Sequence, residues 1–505
     1  MRTPRAAVLV MMAGLIATAC GARLPADVQT KAQSAVLNPN TGSSGVGTTT
    51  GGSTDTTGGV DTTGGGTTTT GGTGTTGSGT TTGGTGTTGS GTTAGGHGTK
   101  PGTTQTQAAG PACGKGTDVG LTASDVTIGT IADVTGPVSG LFQGAQQGML
   151  TFANFINQTQ GGICGHHVNV AFRDGGTNCT QTQNAASDLV NKVFAFVGSF
   201  ALYDNCAASV LQQHPTVPDI HDSLDPAAGK LSNHFDIEPG ELGYASGPFE
   251  YFKQKYGDKV LHVGTIAEDL SSALAKQHAI VHAAESAGWK FVYSQNEQPT
   301  NSNFQQDFVT MCSRKHIQIF FTVTENAQNA ATMIQNENQA GCPKTLINII
   351  PIAYDQAFLD AFKGNTGAIE NLQGYNQYAM FFNPEDGAQI PELKLFQEWF
   401  QRTYPNQPAN LYAMFAWASG RLFQQAMENA GPTLNRKTVL AALHKIKNFD
   451  ANGMISPETP SSKSTGVHCY ILWQFKDGKF QRQADPPISG PTKGYRCDGR
   501  FVPAS

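Results

Sequence analysis

Residues with reactive side chains are few in this chain, and their spacing favours binding over catalysis. His278 and His282 lie four residues apart on a predicted helix, a spacing that two metal ligands can have. No H-E-x-x-H motif contains them, and the sequence has neither a G-x-S-x-G elbow nor a G-x-x-x-x-G-K-[ST] loop. We therefore predict no catalytic residue, no metal and no cofactor. A hydrolase with paired acid and base groups in a cleft is a weaker, open alternative.

Short apolar runs alternate with amphipathic stretches of helical period along the C-terminal three quarters of the chain. The predicted strands are residues 126–132, 168–174, 194–199, 217–220, 259–266, 290–295, 317–323 and 345–350. The predicted helices are residues 141–157, 181–192, 204–213, 270–286, 302–314 and 327–339. Because parallel strands need helical crossovers, this alternation predicts an α/β fold of two doubly wound parallel-sheet lobes.

A cleft between two such lobes binds its ligand at the carboxyl ends of the strands. The segments that follow the predicted strands therefore hold the candidate contacts. They are residues 133–142, 198–203, 221–225, 267–272, 324–326 and 353–355.

The N-terminus has the features of an export signal. Arg2 and Arg5 precede an apolar stretch, residues 6–17, that is too short to span a membrane. Ala17-Thr18-Ala19 followed by Cys20 resembles the lipobox of bacterial lipoproteins, where the cysteine carries the acyl chains. Residues 1–19 are then a signal peptide and Cys20 the lipid anchor on the outer face of the cytoplasmic membrane. The motif prefers leucine where Ala17 stands, so plain secretion stays open.

The composition of residues 20–112 predicts a disordered tether. From residue 41 to residue 110 the chain is almost wholly Gly, Thr and Ser, with two copies of GGTGTTGSGTT, and has no apolar surface to bury. As a flexible coil this tract would span roughly 45 Å. The chain has a net charge of −5 and no cluster of basic residues, which argues against nucleic acid as a partner.

The first strand–helix–strand unit is similar to the opening of the leucine/isoleucine/valine-binding proteins, the solute-binding subunits of bacterial ABC importers. The residues that carry this similarity are VTIGTIADVTGPVSGLFQGAQQGMLTFANFINQTQGGICGHHVNV and then RDGGTNCTQTQNAASDLVNKVFAFVGS. The resemblance extends from Leu121 to about Arg482 and implies a type I periplasmic-binding fold. It also implies a monomeric, non-enzymatic protein that delivers a small polar metabolite, such as an amino acid, to an ABC transporter permease. A surface sensor or adhesin with the same fold is the alternative.

In the resembled family the chain crosses between its lobes three times, which here corresponds to positions near Gly243, Gly374 and Asn452. The implied division assigns residues 113–243 and 375–452 to the first lobe. Residues 244–374 and 453–505 form the second lobe and the C-terminal tail.

The resemblance also implies a pairing for the eight cysteines beyond residue 112. Family members link the segments that match Cys179 and Cys206. The remaining pairs would be Cys312 with Cys342, Cys469 with Cys497, and Cys113 with Cys164. An even number of cysteines in an exported chain favours disulfides.

The resemblance finally implies a set of ligand contacts at the strand ends. From the first lobe these are Phe142, Ser199, Phe200, Tyr203, Ser223 and Asp225, and from the second Glu325, Tyr354 and Asp355. Structural roles compete with ligand contact for several of them. Phe200 can cap a strand in the core, Asp225 precedes Pro226 as in many turns, and Glu325 lies beside a helix start.

Overall fold

The computed structural model describes residues 113–370 and 372–504. The predicted signal peptide, Cys20 and the Gly/Thr tract lie outside these residues. Within the part of the chain that is described, no helix is both long and apolar enough to cross a membrane.

Two sheets, one parallel and one mainly parallel, organise the described residues, and the sequence predicts two parallel-sheet lobes. The first sheet has five parallel strands in the order β2-β1-β3-β4-β5. Its strands are β1 Asp125–Ala132, β2 His167–Asp174, β3 Ala195–Val197, β4 Asp219–His221 and β5 His234–Asp236. We call this sheet and the helices packed on it the first lobe.

The second sheet has seven strands in the order β13-β12-β11-β10-β9-β7-β8, and with its helices forms the second lobe. Its strands are β7 Val263–Glu268, β8 Phe291–Glu297, β9 Ile319–Val323, β10 Ile347–Ile349, β11 Gln373–Asn376, β12 Ile471–Lys476 and β13 Lys479–Arg482. The last two are antiparallel to their neighbours and form a hairpin. A separate two-stranded sheet pairs β6, Gly243–Ala245, with β14, Phe501–Pro503.

The predicted strand at residues 259–266 begins later than expected. A 3₁₀ helix, Gly257–Leu261, occupies its first half, because Gly257 at φ 59° turns the chain out of the preceding helix. The other predicted strands lie within three residues of their expected ends.

Helices connect the strands, and several begin at a side-chain cap. The first-lobe helices are α1 Gln143–Gln160, α2 Cys179–Leu189, α3 Asp204–Leu211 and α4 Pro226–Gly229, joined by α11 Pro391–Thr403, α12 Leu411–Glu428 and α13 Arg436–Leu443. The others are α5 Gly247–Tyr256, α6 Ser271–Ser286, α7 Gln305–Val309 continued by a π turn, α8 Ala327–Gln339, α9 Gln356–Ala361 and α10 Pro384–Gln389. Asn410 caps α12 by accepting a hydrogen bond from the Ala413 backbone N–H.

Helix α12 packs closely on α1 and so completes the first lobe. A Cβ atom on Gly148 would lie 2.1 Å from the Ala413 carbonyl oxygen, so only glycine permits this approach. The chain therefore leaves the second sheet after Asn376, contributes α11 to α13 to the first lobe, and returns at Ile471.

Four disulfides join Cys113 to Cys164, Cys179 to Cys206, Cys312 to Cys342 and Cys469 to Cys497. These are the same four pairs that the family resemblance implies. The second of them ties the start of α2 to α3, next to the strand ends of the first lobe.

Candidate functional site

A cavity lies between the two sheets, at the carboxyl ends of their strands. About 70 Å³ of it is open to the centre of a water-sized sphere, and part of the surrounding space opens to solvent. Its aromatic lining consists of Phe200, Tyr244, Tyr375, Tyr378, Tyr412 and Phe415. Its polar lining includes Asp222, Glu238, Lys276, Thr324, Glu325 and Gln377.

Aromatic rings of the first lobe form one wall of the cavity. The ring of Phe200, which follows β3, lies 4.9 Å from the Tyr412 ring on the first turn of α12. Phe142 stands behind both rings, at 4.8 Å from Phe200 and 4.7 Å from Tyr412, and is fully buried. Rings packed at such distances hold one another in place, so this wall is preformed.

Hydrogen bonds link the two lobes beside the cavity. The Tyr412 hydroxyl donates to the Glu325 carbonyl oxygen after β9 at 2.6 Å. The Ser271 hydroxyl at the start of α6 donates to Asp225 at 2.9 Å. The structure therefore has the two strand-end surfaces in contact, with the cavity enclosed between them.

A charged cluster lies at one side of the cavity. The Lys276 ammonium is 3.2 Å from Glu238 Oε2, and the Tyr244 hydroxyl donates to Glu238 Oε1 at 3.3 Å. Burial raises the pKa of Glu238, which Lys276 opposes. Burial acts to lower the pKa of Lys276, but Glu238 and the other acidic groups around it raise that pKa well above its ordinary value. The lysine and the glutamate therefore act as a paired unit.

Asp222 lies next to this pair, but one of its carboxylate oxygens has no partner in the described part of the chain. Its side chain is 2% exposed, and its Oδ1 has no hydrogen-bond partner among the described residues. The Tyr375 hydroxyl, which also lines the cavity, likewise has none. Buried polar atoms without partners cost free energy, so both atoms favour a ligand that can pair with them.

The model of the periplasmic binding protein family matches residues 125–479, a span that includes the first sheet, six of the seven strands of the second sheet, and the cavity. This chain belongs to the periplasmic binding protein family. No curated protein matches its sequence.

Solved structures of this family share the fold at low sequence identity. A fatty acid ABC transporter substrate-binding protein from Thermomonospora curvata is 15% identical, with 77% of this chain and 95% of that chain covered and a TM-score of 0.57. A branched-chain amino acid transporter substrate-binding protein from Streptococcus pneumoniae, in complex with isoleucine, is 16% identical (71% and 98% covered, TM-score 0.55). A solute-binding protein from R. palustris, in complex with benzoate, is 14% identical (74% and 99% covered, TM-score 0.57). These three proteins are named for, or bound to, chemically different ligands: a fatty acid, isoleucine and benzoate.

In this periplasmic binding protein, Phe200 and Glu325 are the two sequence-predicted ligand residues that line the cavity. Phe142 contributes indirectly, because it supports the ring of Phe200. Tyr203 lies at the start of α3, is half-buried, and is not part of the lining.

The two predicted serines form internal hydrogen bonds instead of lining the cavity. Ser199 Oγ accepts from the Ile131 backbone N–H at 3.1 Å. The Ser223 hydroxyl donates to Asp236 Oδ2 at 2.5 Å. Each hydroxyl thus stabilises the strand ends of the first sheet.

The two predicted aspartates cap helices. Asp225 accepts from the Ala227 backbone N–H at the start of α4, and Asp355 accepts from the Ala357 N–H at the start of α9. An acidic residue after a strand is also the residue that a following helix needs as its N-cap, so the strand-end position alone does not identify a ligand contact.

Tyr354, the tyrosine predicted from its strand-end position, lies in the core of the second lobe and is 1% exposed. Its hydroxyl accepts a hydrogen bond from the Phe382 backbone N–H at 2.6 Å, and its ring packs 4.7 Å from the Phe480 ring. The loop 377–383 and the β12–β13 hairpin cover it, and neither element is in the set predicted from sequence.

Sequence reasoning missed Lys276, Tyr375, Tyr412 and Phe415. Tyr412 and Phe415 lie three residues apart on α12, a spacing that places both rings on one helix face and could have identified this wall. Lys276 lies in the second turn of α6, and only the packing of that helix turns it toward the cavity.

Asp219, His221 and His234 form a second buried cluster, outside the cavity. Their possible ligand atoms lie within 4.8 Å of one another, the spacing of a metal site. Hydrogen bonds account for this proximity, because Asp219 pairs with His221 Nδ1 at 3.0 Å and with His234 Nδ1 at 2.9 Å. His278 and His282, the pair noted in the sequence, are exposed on α6.

Proposed function

We propose that this protein is an extracytoplasmic solute-binding protein that captures a small amphipathic solute in the interlobe cavity and delivers it to the permease of an ABC importer. We propose further that it acts as a monomer, with binding and release reversible and no covalent step. The observation that carries the proposal is the interlobe cavity at the strand ends, which is lined by aromatic rings and by Asp222 and Tyr375, two residues that each have a buried polar atom without a partner among the described residues.

Closure of the two lobes is the proposed mechanism of capture. A ligand that contacts Phe200 and Tyr412 on one side and Glu325 on the other meets both surfaces only when the lobes are together. Such a ligand stabilises the closed state by its differential affinity. The bonds from Tyr412 to Glu325 and from Ser271 to Asp225 stabilise the same closed arrangement without a ligand.

Anchoring at Cys20 would hold the protein near a permease. Two or more acyl chains bind a protein stably to a bilayer, and the tract to residue 112 would let the lobes reach away from it. If Cys20 is acylated, the full chain expressed in a bacterium partitions into the detergent phase and Cys20→Ala releases it. Equal partitioning of both forms would favour plain secretion.

A thermal-shift screen of the purified chain tests the binding function. The panel contains amino acids, amides, aromatic acids and amines, because a ligand that binds only the folded state raises the melting temperature. Ile352 lines the cavity, so Ile352→Trp should fill it and abolish the shift. A panel in which every shift persists in Ile352→Trp would contradict binding in this cavity.

A further inference from the structure

Several backbone N–H groups after the first-lobe strands donate to the protein's own carboxylates. Asp133 Oδ2 accepts the Leu202 N–H at 2.8 Å. Asp204 Oδ2 accepts the Leu224 N–H at 2.7 Å and the Asp225 N–H at 3.2 Å. Free N–H groups at strand ends and helix starts are what a ligand carboxylate would need. Here internal aspartates take that place.

The hydroxyls that could replace these N–H groups are also engaged. Ser199 and Ser223 form the internal bonds described above, and the Ser223 N–H donates to Asp236 at 3.2 Å. In the second lobe, the Thr324 hydroxyl donates to Glu268. The Ser223 and Thr324 hydroxyls thus donate to acidic side chains of this chain, whereas Ser199 Oγ accepts from the Ile131 N–H.

The charges that line the cavity are unbalanced toward negative. Lys276 is the one cation among the described lining residues, against the carboxylates of Asp222, Glu238 and Glu325. Its ammonium is paired with Glu238 at 3.2 Å, so a ligand anion would have to compete with an intramolecular partner. Asp222 Oδ1 is buried and without a partner, and the aromatic lining around it suits a cation as well as an apolar body.

We propose that the cavity takes a ligand with a protonated amine on an apolar or aromatic body, and that Asp222 binds the amine. This proposal rests on the proposed function, because it names the chemical class of solute for the same cavity. A ligand whose only charged group is a carboxylate should bind more weakly, because Lys276 is already paired with Glu238.

Proton release should accompany the binding of such a ligand. Burial and then the charge of Glu238 raise the pKa of Asp222 well above its ordinary value; Asp236 and Glu325 add to this, while Lys276 opposes it. A bound ammonium favours the ionised carboxylate and lowers that pKa. Between the two pKa values the amine displaces a proton, so its affinity rises with pH across that window.

Three probes with the same ring test the proposal on the full purified chain: 2-phenylethylamine, 2-phenylethanol and phenylacetate. At equal concentrations we expect the amine to raise the melting temperature most and phenylacetate least. Asp222→Asn should weaken amine binding about tenfold or more, the effect of losing a charge-assisted hydrogen bond. It should also remove the pH dependence. Asp355→Asn is the matched control, because Asp355 caps α9 outside the cavity.

Two results would overturn the amine proposal and leave the solute-binding function intact. One is stronger binding of phenylacetate than of the amine, abolished by Ile352→Trp. The other is amine binding that Asp222→Asn leaves unchanged. Failure of all three probes would also overturn it, because the proposal requires that the aromatic lining bind the ring and that Asp222 bind the ammonium. Failure of the whole screen, or shifts that all persist in Ile352→Trp, would count instead against the cavity as a solute site.

Discussion

Two buried charged clusters lie near each other, and they differ in how many of their carboxylate oxygens accept hydrogen bonds. One is the histidine cluster of the first lobe, and the other is the cavity cluster of Asp222, Glu238 and Lys276. In the cluster of Asp219, His221, His234 and Asp236, every carboxylate oxygen accepts at least one hydrogen bond. In the cavity, Asp222 follows His221 directly in sequence, yet its Oδ1 accepts none within the described residues.

This difference separates a structural cluster from a binding one. Hydrogen-bonded carboxylates in a buried network stabilise a fold, and in the histidine cluster only His221 Nε2 is without a partner among the described residues. A buried carboxylate oxygen without a partner destabilises the fold unless something else pairs with it. The histidine cluster contributes its hydrogen bonds to the packing of β4 against β5. The cavity cluster leaves Asp222 and Tyr375 to pair with a ligand. A mutation in the histidine cluster should therefore mainly lower stability, whereas a mutation of Asp222 should mainly weaken binding.

The largest expected effect is on the histidine cluster. Asp219→Asn removes one of the two carboxylates that pair with His234, and the only one that pairs with His221, and should lower the free energy of unfolding by about 3–5 kcal/mol, as for other broken buried pairs. Asp188→Asn is the control, because Asp188 forms exposed ion pairs with Arg173 and Lys192 and should cost less than about 1 kcal/mol. Urea unfolding of both variants measures the contrast, and equal losses would contradict the distinction between the clusters.

The same substitution should have a defined pH dependence. Burial acts to raise the pKa of Asp219, but the two histidines hold it below its ordinary value, so its contribution is lost as pH falls below about 4. Burial acts to lower the pKa of His234, but Asp219 and Asp236 raise it, so its contribution is complete below about pH 6.5 and is lost as pH rises through the raised value. The stability gap between wild type and Asp219→Asn should therefore be wider at pH 5 than at pH 9. A gap that widens toward pH 9 would contradict an ionised His234.

A smaller effect is expected where the two lobes meet. Tyr412→Phe removes the hydroxyl that donates to the Glu325 carbonyl and should weaken ligand binding by about 1 kcal/mol, the contribution of one neutral hydrogen bond. Tyr293→Phe removes a hydroxyl that donates to Asp307 within the second lobe and should leave affinity unchanged. Calorimetry on a ligand from the screen compares the two, and equal affinities would argue against closure through Tyr412.

The smallest effect on stability belongs to Asp222. Because its Oδ1 has no partner and repels Glu238, Asp222→Asn should change the free energy of unfolding by less than about 1 kcal/mol. Its effect appears in binding instead. A loss as large as that of Asp219→Asn would place Asp222 in the structural network.

The sequence predicts eight of the ten parallel strands, because those eight combine an apolar run with a following helix, and it misses the short strands β5 and β11. It misses β12 and β13, although Asp477 and Gly478 supply the two left-handed residues of a tight hairpin between alternating strands. That hairpin and α11 to α13 come late in the chain and complete lobes begun much earlier. Their place depends on long-range packing, such as that of Gly148 against Ala413.

The site is less predictable for a physical reason. The strand-end position identifies Phe200 and Glu325, but helix N-caps occupy the same position, and Asp225 and Asp355 are caps. Lys276 reaches the cavity from inside a helix, so no strand-end rule finds it.

The most direct test of the interlobe cavity as the solute site is calorimetry on one ligand from the screen with wild type, Ile352→Trp and Asp355→Asn. Ile352 lines the cavity, whereas Asp355 is a strand-end residue that the fold uses as a cap, a role that asparagine also fills. We predict that Ile352→Trp abolishes binding and that Asp355→Asn binds as wild type does. Wild-type affinity in Ile352→Trp together with weakened binding in Asp355→Asn would contradict the account.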